Sequence, residues 1–100
     1  MTTGWVIGVL IEQPKDDPPL RHFYAVAQPD RARAEWSAID RALAAGPVAA
    51  SPWSGQEPVA AIGPLSAKAV GDLGLAVGEI KALGVRWPRR WVGDGRSLAN

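Results

Sequence analysis

The chain has 100 residues and a formal net charge of +1, and 47% of its residues are hydrophobic. A chain of this length forms one domain with one core, and the composition is close to that of an average globular protein. Because there is no cysteine and one histidine, disulfides, thiolate nucleophiles and zinc-thiolate sites are excluded and a histidine-based metal centre is disfavoured. We therefore expect no metal and no cofactor.

The longest apolar run, Trp5 to Ile11, is too short to cross a membrane. It covers seven residues, whereas a bilayer needs about 20. No cationic side chain precedes the run and no small-residue cleavage site follows it, so the features of a secretory signal are missing. We expect a cytoplasmic protein with no membrane partner.

The small net charge hides an uneven distribution along the chain. Residues 1–80 carry a net charge of −3, and residues 81–100 carry +4. Segregation of this kind is typical of an interaction surface. The C-terminal segment is therefore the first place to look for a binding site.

Two strands and a helix are predicted in the first half of the chain. Trp5 to Ile11 is apolar on both alternating faces, which favours a central strand. Leu20 to Gln28 is a second strand, joined to the first across a proline-rich loop in an antiparallel hairpin. Asp30 is placed to cap a helix over residues 31–45, which Gly46 and the following proline end.

One apolar stripe of this helix is expected to face the core. Its members recur at steps of four, three and four residues, which matches the 3.6-residue period of a helix. The stripe consists of Ala32, Trp36, Ile39 and Leu43. The remaining arc is expected to be solvated and contains Arg33, Ser37, Asp40 and Arg41.

The second half of the chain predicts shorter elements. Segments 47–51 and 58–62 have nearly the same sequence, PVAAS and PVAAI, and are expected to pair as a second hairpin. Ser66 is placed to cap a short helix that runs to Leu73, with Gly74 closing it. One continuous helix over residues 67–83 is the alternative, but its three interior glycines would cost about 3 kcal/mol relative to alanine.

The predicted fold class is α+β. A small antiparallel sheet of three to four strands, in a β-β-α-β-α order, is expected to carry two helices on one face. Residues 1–92 form the domain, Val85 to Val92 is extended, and residues 93–100 are a disordered tail. The segments WVIGVLIEQ, FYAVAQPD and GPLSAKAVGDLGL resemble small bacterial proteins to which no function is assigned, and this resemblance implies no catalytic residue.

The C-terminal segment holds most of the candidate binding residues, which are Arg86, Trp87, Arg89, Arg90 and Trp91. Guanidinium groups bind phosphates and indoles stack on bases, so this pattern fits single-stranded nucleic acid. The other interpretation is that both indoles close an edge of the core while the arginines cover their faces. We favour packing, because the isoelectric point of about 8.2 is below the range of nucleic-acid-binding domains.

Two further side chains are candidates for function. Trp53 lies in a loop of small residues, where it can anchor a partner or fold back onto the sheet. His22 is the single imidazole, and Asp40 or Glu12 could orient it as a general base. A half-exposed strand residue is the simpler interpretation of His22.

The sequence therefore predicts a small non-catalytic protein-interaction module, with itself or another protein as partner. The interaction would use the Trp53 loop, the segment from Trp87 to Trp91, or an unpaired strand edge. Nucleic-acid or phosphate binding through Arg86, Arg89 and Arg90 is the second hypothesis. A small enzyme that uses His22 is the third.

Overall fold

The computed structural model describes residues 2–93, which form one four-stranded antiparallel sheet and three helices. In chain order the elements are β1 (Gly4–Ile11), β2 (Leu20–Val26), α1 (Arg31–Ala42), β3 (Val59–Leu65), α2 (Ala67–Asp72), β4 (Ile80–Gly84) and α3 (Arg89–Val92). The strand order across the sheet is β3-β1-β2-β4. This arrangement confirms the α+β class, and the antiparallel pairing of β1 with β2 confirms the first hairpin.

Both faces of the central strands are buried. Val6 and Ile7 are consecutive residues of β1, so their side chains point to opposite faces, and both are fully buried. Ile7 belongs to a cluster that α1 covers, and Val6 belongs to a second cluster that α2 and α3 cover. We call these the α1 face and the α2 face.

The helices therefore lie on both faces of the sheet, and the expectation of two helices on one face is wrong. The chain passes from α1 on one face to α2 on the other through β3, which pairs with the outer side of β1. Because β1 and β2 carry apolar side chains on both faces, a single helical layer would leave one of these faces exposed to water.

α1 turns its small residues toward the sheet. Ala34, Ala38 and Ala42 are fully buried, whereas Trp36 is 67% exposed and Leu43 is 56% exposed. The prediction that the larger stripe faces the core is therefore wrong; that stripe is Ala32, Trp36, Ile39 and Leu43. Its members lie on the outer side of the helix, and we call them the outer stripe.

The size of the sheet side chains explains this orientation. The α1 face presents branched and aromatic residues, among them Ile7, Val9 and Tyr24. A helix can approach such a surface closely only if its own side chains are short, because interiors are packed at near-crystalline density. The alanines also recur at a helical spacing, so periodicity alone does not distinguish the two stripes.

The start of α1 is as predicted, and its end comes earlier. The Asp30 side chain accepts a hydrogen bond from the backbone N–H of Arg33 at 2.9 Å. The regular helix ends at Ala42, three residues before the predicted end, and the Ala45 N–H donates to the Ala42 carbonyl at 2.8 Å. The cap is confirmed because it depends on local chemistry that the sequence shows directly.

The predicted second hairpin is wrong, because β3 pairs with β1 and not with residues 47–51. Val59 lies opposite Val9, and Leu65 lies opposite Gly4. In segment 47–51, Val48 forms only an isolated bridge with Ile11. The outer side of β1 offers a longer run of backbone partners than the alanine-rich segment does, and alanine is a weak strand former.

The short second helix is confirmed, together with its termination. Ser66 accepts a hydrogen bond from the N–H of Ala69, and Gly74 has a φ of 73°, in the left-handed region. The Leu75 N–H donates to the Val70 carbonyl at 3.1 Å, which is the Schellman pattern. The chain then enters β4, so the broken version of residues 67–83 is correct.

The segment that follows β4 is not extended as predicted. Arg89–Val92 forms the short helix α3, and Trp91 and Val92 pack on the α2 face. The predicted tail, 93–100, lies outside the described residues except for Gly93. Within residues 2–93, every helix is too short or too polar to span a bilayer.

A pair of identical substitutions tests the orientation of α1. We expect Ala38→Leu to reduce the free energy of unfolding by about 1–3 kcal/mol, because the added carbons enter a filled interface. Ala32→Leu makes the same change on the outer side and should stay within about 0.5 kcal/mol of the wild type. Urea unfolding measures both values, and equal losses would contradict the orientation.

Candidate functional site

A cavity of about 890 Å³ opens to solvent on the α2 face. It lies at the end of the sheet that α2 and α3 leave uncovered, and its apolar lining comes from β1, β2 and β3. The apolar residues that the strands contribute are Leu10, Leu20, Phe23, Ala60 and Ile62, and Pro19 and Val85 lie beside them. Trp53 from the loop before β3 and Trp87 from the segment after β4 also line it. The structure therefore brings two of the candidate residues to one site.

Arg21 contributes a guanidinium to this apolar cavity. Its side chain crosses β1 above Gly8, where an added Cβ would be 2.6 Å from Arg21 Nη1 and 2.9 Å from Arg21 Cδ. Nε donates to the side-chain oxygen of Gln56 at 2.7 Å, and Nη2 donates to the backbone carbonyl of Glu57. The glycine thus provides the space for an arginine that ties the Trp53 loop to the sheet.

Arg21 and Glu57 are the charged residues that line the cavity, and they form no ion pair with each other. Within residues 2–93, no carboxylate forms an ion pair with Arg21, and its Nη1 is buried without a hydrogen-bond partner. Burial lowers the pKa of the Arg21 guanidinium below its usual range, because the charged form is less well solvated there. A positive charge held by neutral acceptors favours an anionic group nearby.

A tight turn presents Trp53 at the cavity. Trp53 and Gln56 exchange backbone hydrogen bonds of 2.9 and 2.8 Å across Ser54 and Gly55. Both turn residues have positive φ values, 50° and 78°, as in the two-residue turns of tight hairpins. Trp53 is 48% exposed, so its indole contacts the cavity on one side and water on the other.

Trp87 is fixed at two points. Its ring packs edge-to-face on Phe23, with centroids 5.7 Å apart and an interplanar angle of 80°. Its indole N–H donates to the Gly93 carbonyl at 2.8 Å. Trp87 is 36% exposed, so it both packs on the sheet and forms part of the cavity surface.

The rest of the C-terminal candidates lie outside the cavity. Trp91 is half-buried against the core cluster of the α2 face, and the Arg90 guanidinium lies 4.7 Å from the centroid of its ring. Arg86 and Arg89 are exposed. One indole therefore packs on the core under an arginine, as the packing interpretation describes.

Sequence reasoning missed Arg21, although the sequence holds a signal for it. The alternation of β2 places Arg21 on the same face as Phe23 and Ala25, which is an apolar face. A charged residue on such a face, with a glycine on the neighbouring strand, indicates a side chain that crosses the sheet. The strand pairing, which the sequence does not show directly, is needed to place Gly8 beneath it.

His22 lies on the opposite face from the cavity, paired with Val9 in β1. Burial lowers the pKa of His22 below its usual value of 6.5. Within residues 2–93, no hydrogen bond links it to Asp40 or Glu12. The same residues contain no group of three or more potential metal ligands. The geometry of the cavity therefore involves no imidazole.

Comparison with known proteins adds no residue to this site. No family model matches the chain, and no curated protein or solved structure matches it. The cavity and its arginine are therefore interpreted from their geometry alone.

Replacing Gly8 tests the crossing arginine. We expect Gly8→Ala to displace the Arg21 guanidinium, to lose its hydrogen bonds to the loop, and to reduce the free energy of unfolding by about 1–3 kcal/mol. Gly71→Ala is the control, because nothing lies within 4 Å of its added Cβ, and it should stabilise the protein by about 0.5–1 kcal/mol. Urea unfolding measures both, and a neutral Gly8→Ala would contradict the crossing.

The depressed pKa of His22 predicts a pH dependence of stability. Because the unfolded chain binds the proton more tightly, the free energy of unfolding should fall as pH drops below about 6.5 and level off below the folded pKa. His22→Gln should remove this part of the dependence. NMR titration of the imidazole gives the folded pKa, and a value above 6.5 would contradict the burial.

Proposed function

We propose that the protein is a non-catalytic protein-interaction module. Its cavity receives an acidic segment of a partner protein, and the same segment carries an aromatic side chain. One observation carries the proposal: Trp53 and Trp87 line an open, largely apolar cavity that contains an arginine without an ion-pair partner among residues 2–93. The two indoles, the apolar lining and the arginine favour an occupant that carries the edge of an aromatic ring, an apolar group and an anionic group, respectively.

The size and shape of the cavity support a short peptide segment. Its volume of about 890 Å³ lies within the range of sites that enclose ligand-sized groups, about 300–1,000 Å³. Tryptophans are common among the residues that dominate binding energy at protein interfaces. Trp53 is half-exposed, so an occupant that covers it would remove indole surface from water.

The Arg21 guanidinium, which forms no ion pair with Glu57 of the same lining, favours an acidic occupant. Arg21 lies among apolar side chains, where a charge is screened less than in water. Its two hydrogen-bond acceptors, the Gln56 side chain and the Glu57 backbone, are both neutral. A carboxylate of the partner would compensate the guanidinium at a site where the loop already holds it in place.

The composition of the cavity supports binding rather than catalysis. Ser54 and Glu57 line it, but the single histidine of the chain lies on the other face of the sheet. A serine without a neighbouring base is a poor nucleophile. A cytoplasmic location, as the sequence predicts, belongs to this proposal.

Nucleic-acid binding through Arg86, Arg89 and Arg90 stays a prediction. It would need indoles with free faces beside the arginines. Arg90 covers Trp91 and Trp87 packs on Phe23. The cavity is for this reason the better supported site.

Titration with blocked peptides tests the proposal. The first peptide has one phenylalanine between two glutamates, and the second replaces both glutamates by glutamines. We expect the acidic peptide to shift the indole N–H signals of Trp53 and Trp87 in NMR spectra of the full chain. The neutral peptide should bind about tenfold more weakly, because the charge pair with Arg21 is absent.

A matched pair of indole variants provides the control. Trp53→Ala should weaken the acidic peptide by about tenfold or more, as expected for an aromatic anchor. Trp36→Ala removes an exposed indole on the α1 side and should leave the affinity unchanged. Equal affinity for both peptides, or shifts confined to residues outside the cavity, would contradict the proposal.

A further inference from the structure

The outer stripe of α1 is an apolar surface that the fold itself leaves uncovered. Trp36 and Leu43 are its most exposed members, at 67% and 56%, and Ala32 is exposed as well. Ile39 is half-buried. Because the alanines occupy the sheet side of the helix, these residues have no role in the core cluster.

The spacing of the stripe is that of a helix–helix contact. Its members recur at steps of four, three and four residues, which is the pattern of the apolar positions in paired helices. α1 has twelve residues, so it is about 18 Å long, and the stripe runs along most of it. A second helix could therefore lie against α1 over its whole length.

Two opposite charges flank the stripe on the same side. Arg33 and Asp40 are both exposed. They lie seven residues apart, at equivalent positions two helical turns from each other. Neither forms an ion pair within residues 2–93, where the salt bridges are Arg31–Glu35 and Lys68–Asp72. A partner helix that carries the opposite charges in reverse order would complement them.

We propose that this partner is a second copy of the chain, with the two α1 helices packed antiparallel about a two-fold axis. In that arrangement Trp36 meets the partner's Ile39, and Leu43 meets the partner's Ala32, so that large residues face smaller ones. Arg33 pairs with the partner's Asp40, and the two-fold axis repeats this pair. The chain is complementary to itself in charge and in size.

A parallel pairing of the same helices fits less well. In a parallel pair, a residue on one flank of the apolar stripe lies beside the partner residue that is five positions later and on the other flank. Glu35 would lie beside the partner's Asp40, and the two like charges would repel. The antiparallel pairing avoids this contact.

This dimer is independent of the proposed peptide site. α1 lies on one face of the sheet, and the cavity opens on the other. The two copies would thus present two open cavities, and a partner with two acidic segments would gain avidity. Failure of the peptide titration would leave the dimer intact, and the reverse also holds.

Charge-exchange variants test the pairing by sedimentation equilibrium. We expect the wild type to dimerise as concentration rises. Arg33→Asp and Asp40→Arg should each weaken the dimer by about tenfold or more, because each places like charges at both pairs. An equimolar mixture of the two variants should restore association as a heterodimer. Positions 33 and 40 are then both acidic in one copy and both basic in the other, so each pair joins opposite charges.

Indole variants serve as the control for the surface. Trp36→Ala should weaken the dimer by about tenfold or more, and Trp53→Ala, on the opposite face, should not change it. Circular dichroism checks that each variant is folded. A wild type that stays monomeric up to about 1 mM, a dimer that Trp53→Ala disrupts, or a variant mixture that fails to associate would each overturn the proposal.

Discussion

The burial of β1 and β2 on both faces is the constraint on which the other features of this structure depend. Val6 and Ile7 show it most directly, because neighbouring residues of one strand are both fully buried. Each face of the sheet must then be covered by a helical layer. α1 packs on one face through alanines that are spread along most of the helix. The shorter α2 and α3 cover the other face only in part.

Both proposed interaction surfaces follow from this unequal cover. On the α1 face, the close approach of the alanines places Trp36 and Leu43 on the outside of the helix. On the α2 face, the uncovered end of the sheet becomes a cavity, and Arg21 crosses it above Gly8 to hold the Trp53 loop. The absence of a side chain at Gly8 of β1 thus lets Arg21 reach the Trp53 loop and hold it against the sheet.

Local chemistry was predictable from the sequence, and contacts between distant segments were not. The caps at Asp30 and Ser66 and the termination at Gly74 were correct, because each depends on a few adjacent residues. The side of α1 that faces the sheet was predicted wrongly, since both stripes have the same period and the choice depends on the size of side chains on other strands. The sequence indicates Trp53 and Trp87 as candidates, but the strand pairing is needed to bring them to one cavity with Arg21.

The solvent accessibility of each indole tests the orientation of α1 most directly. Fluorine NMR of the chain labelled with fluorotryptophan measures it. The five tryptophans give five signals that single substitutions assign, and the shift between H₂O and D₂O reports contact with water. At concentrations where the chain is monomeric, we expect the largest solvent shift for Trp36 and a smaller one for Trp91. A Trp36 as protected as Trp91 would contradict this orientation, because the larger stripe of α1 would then face the sheet.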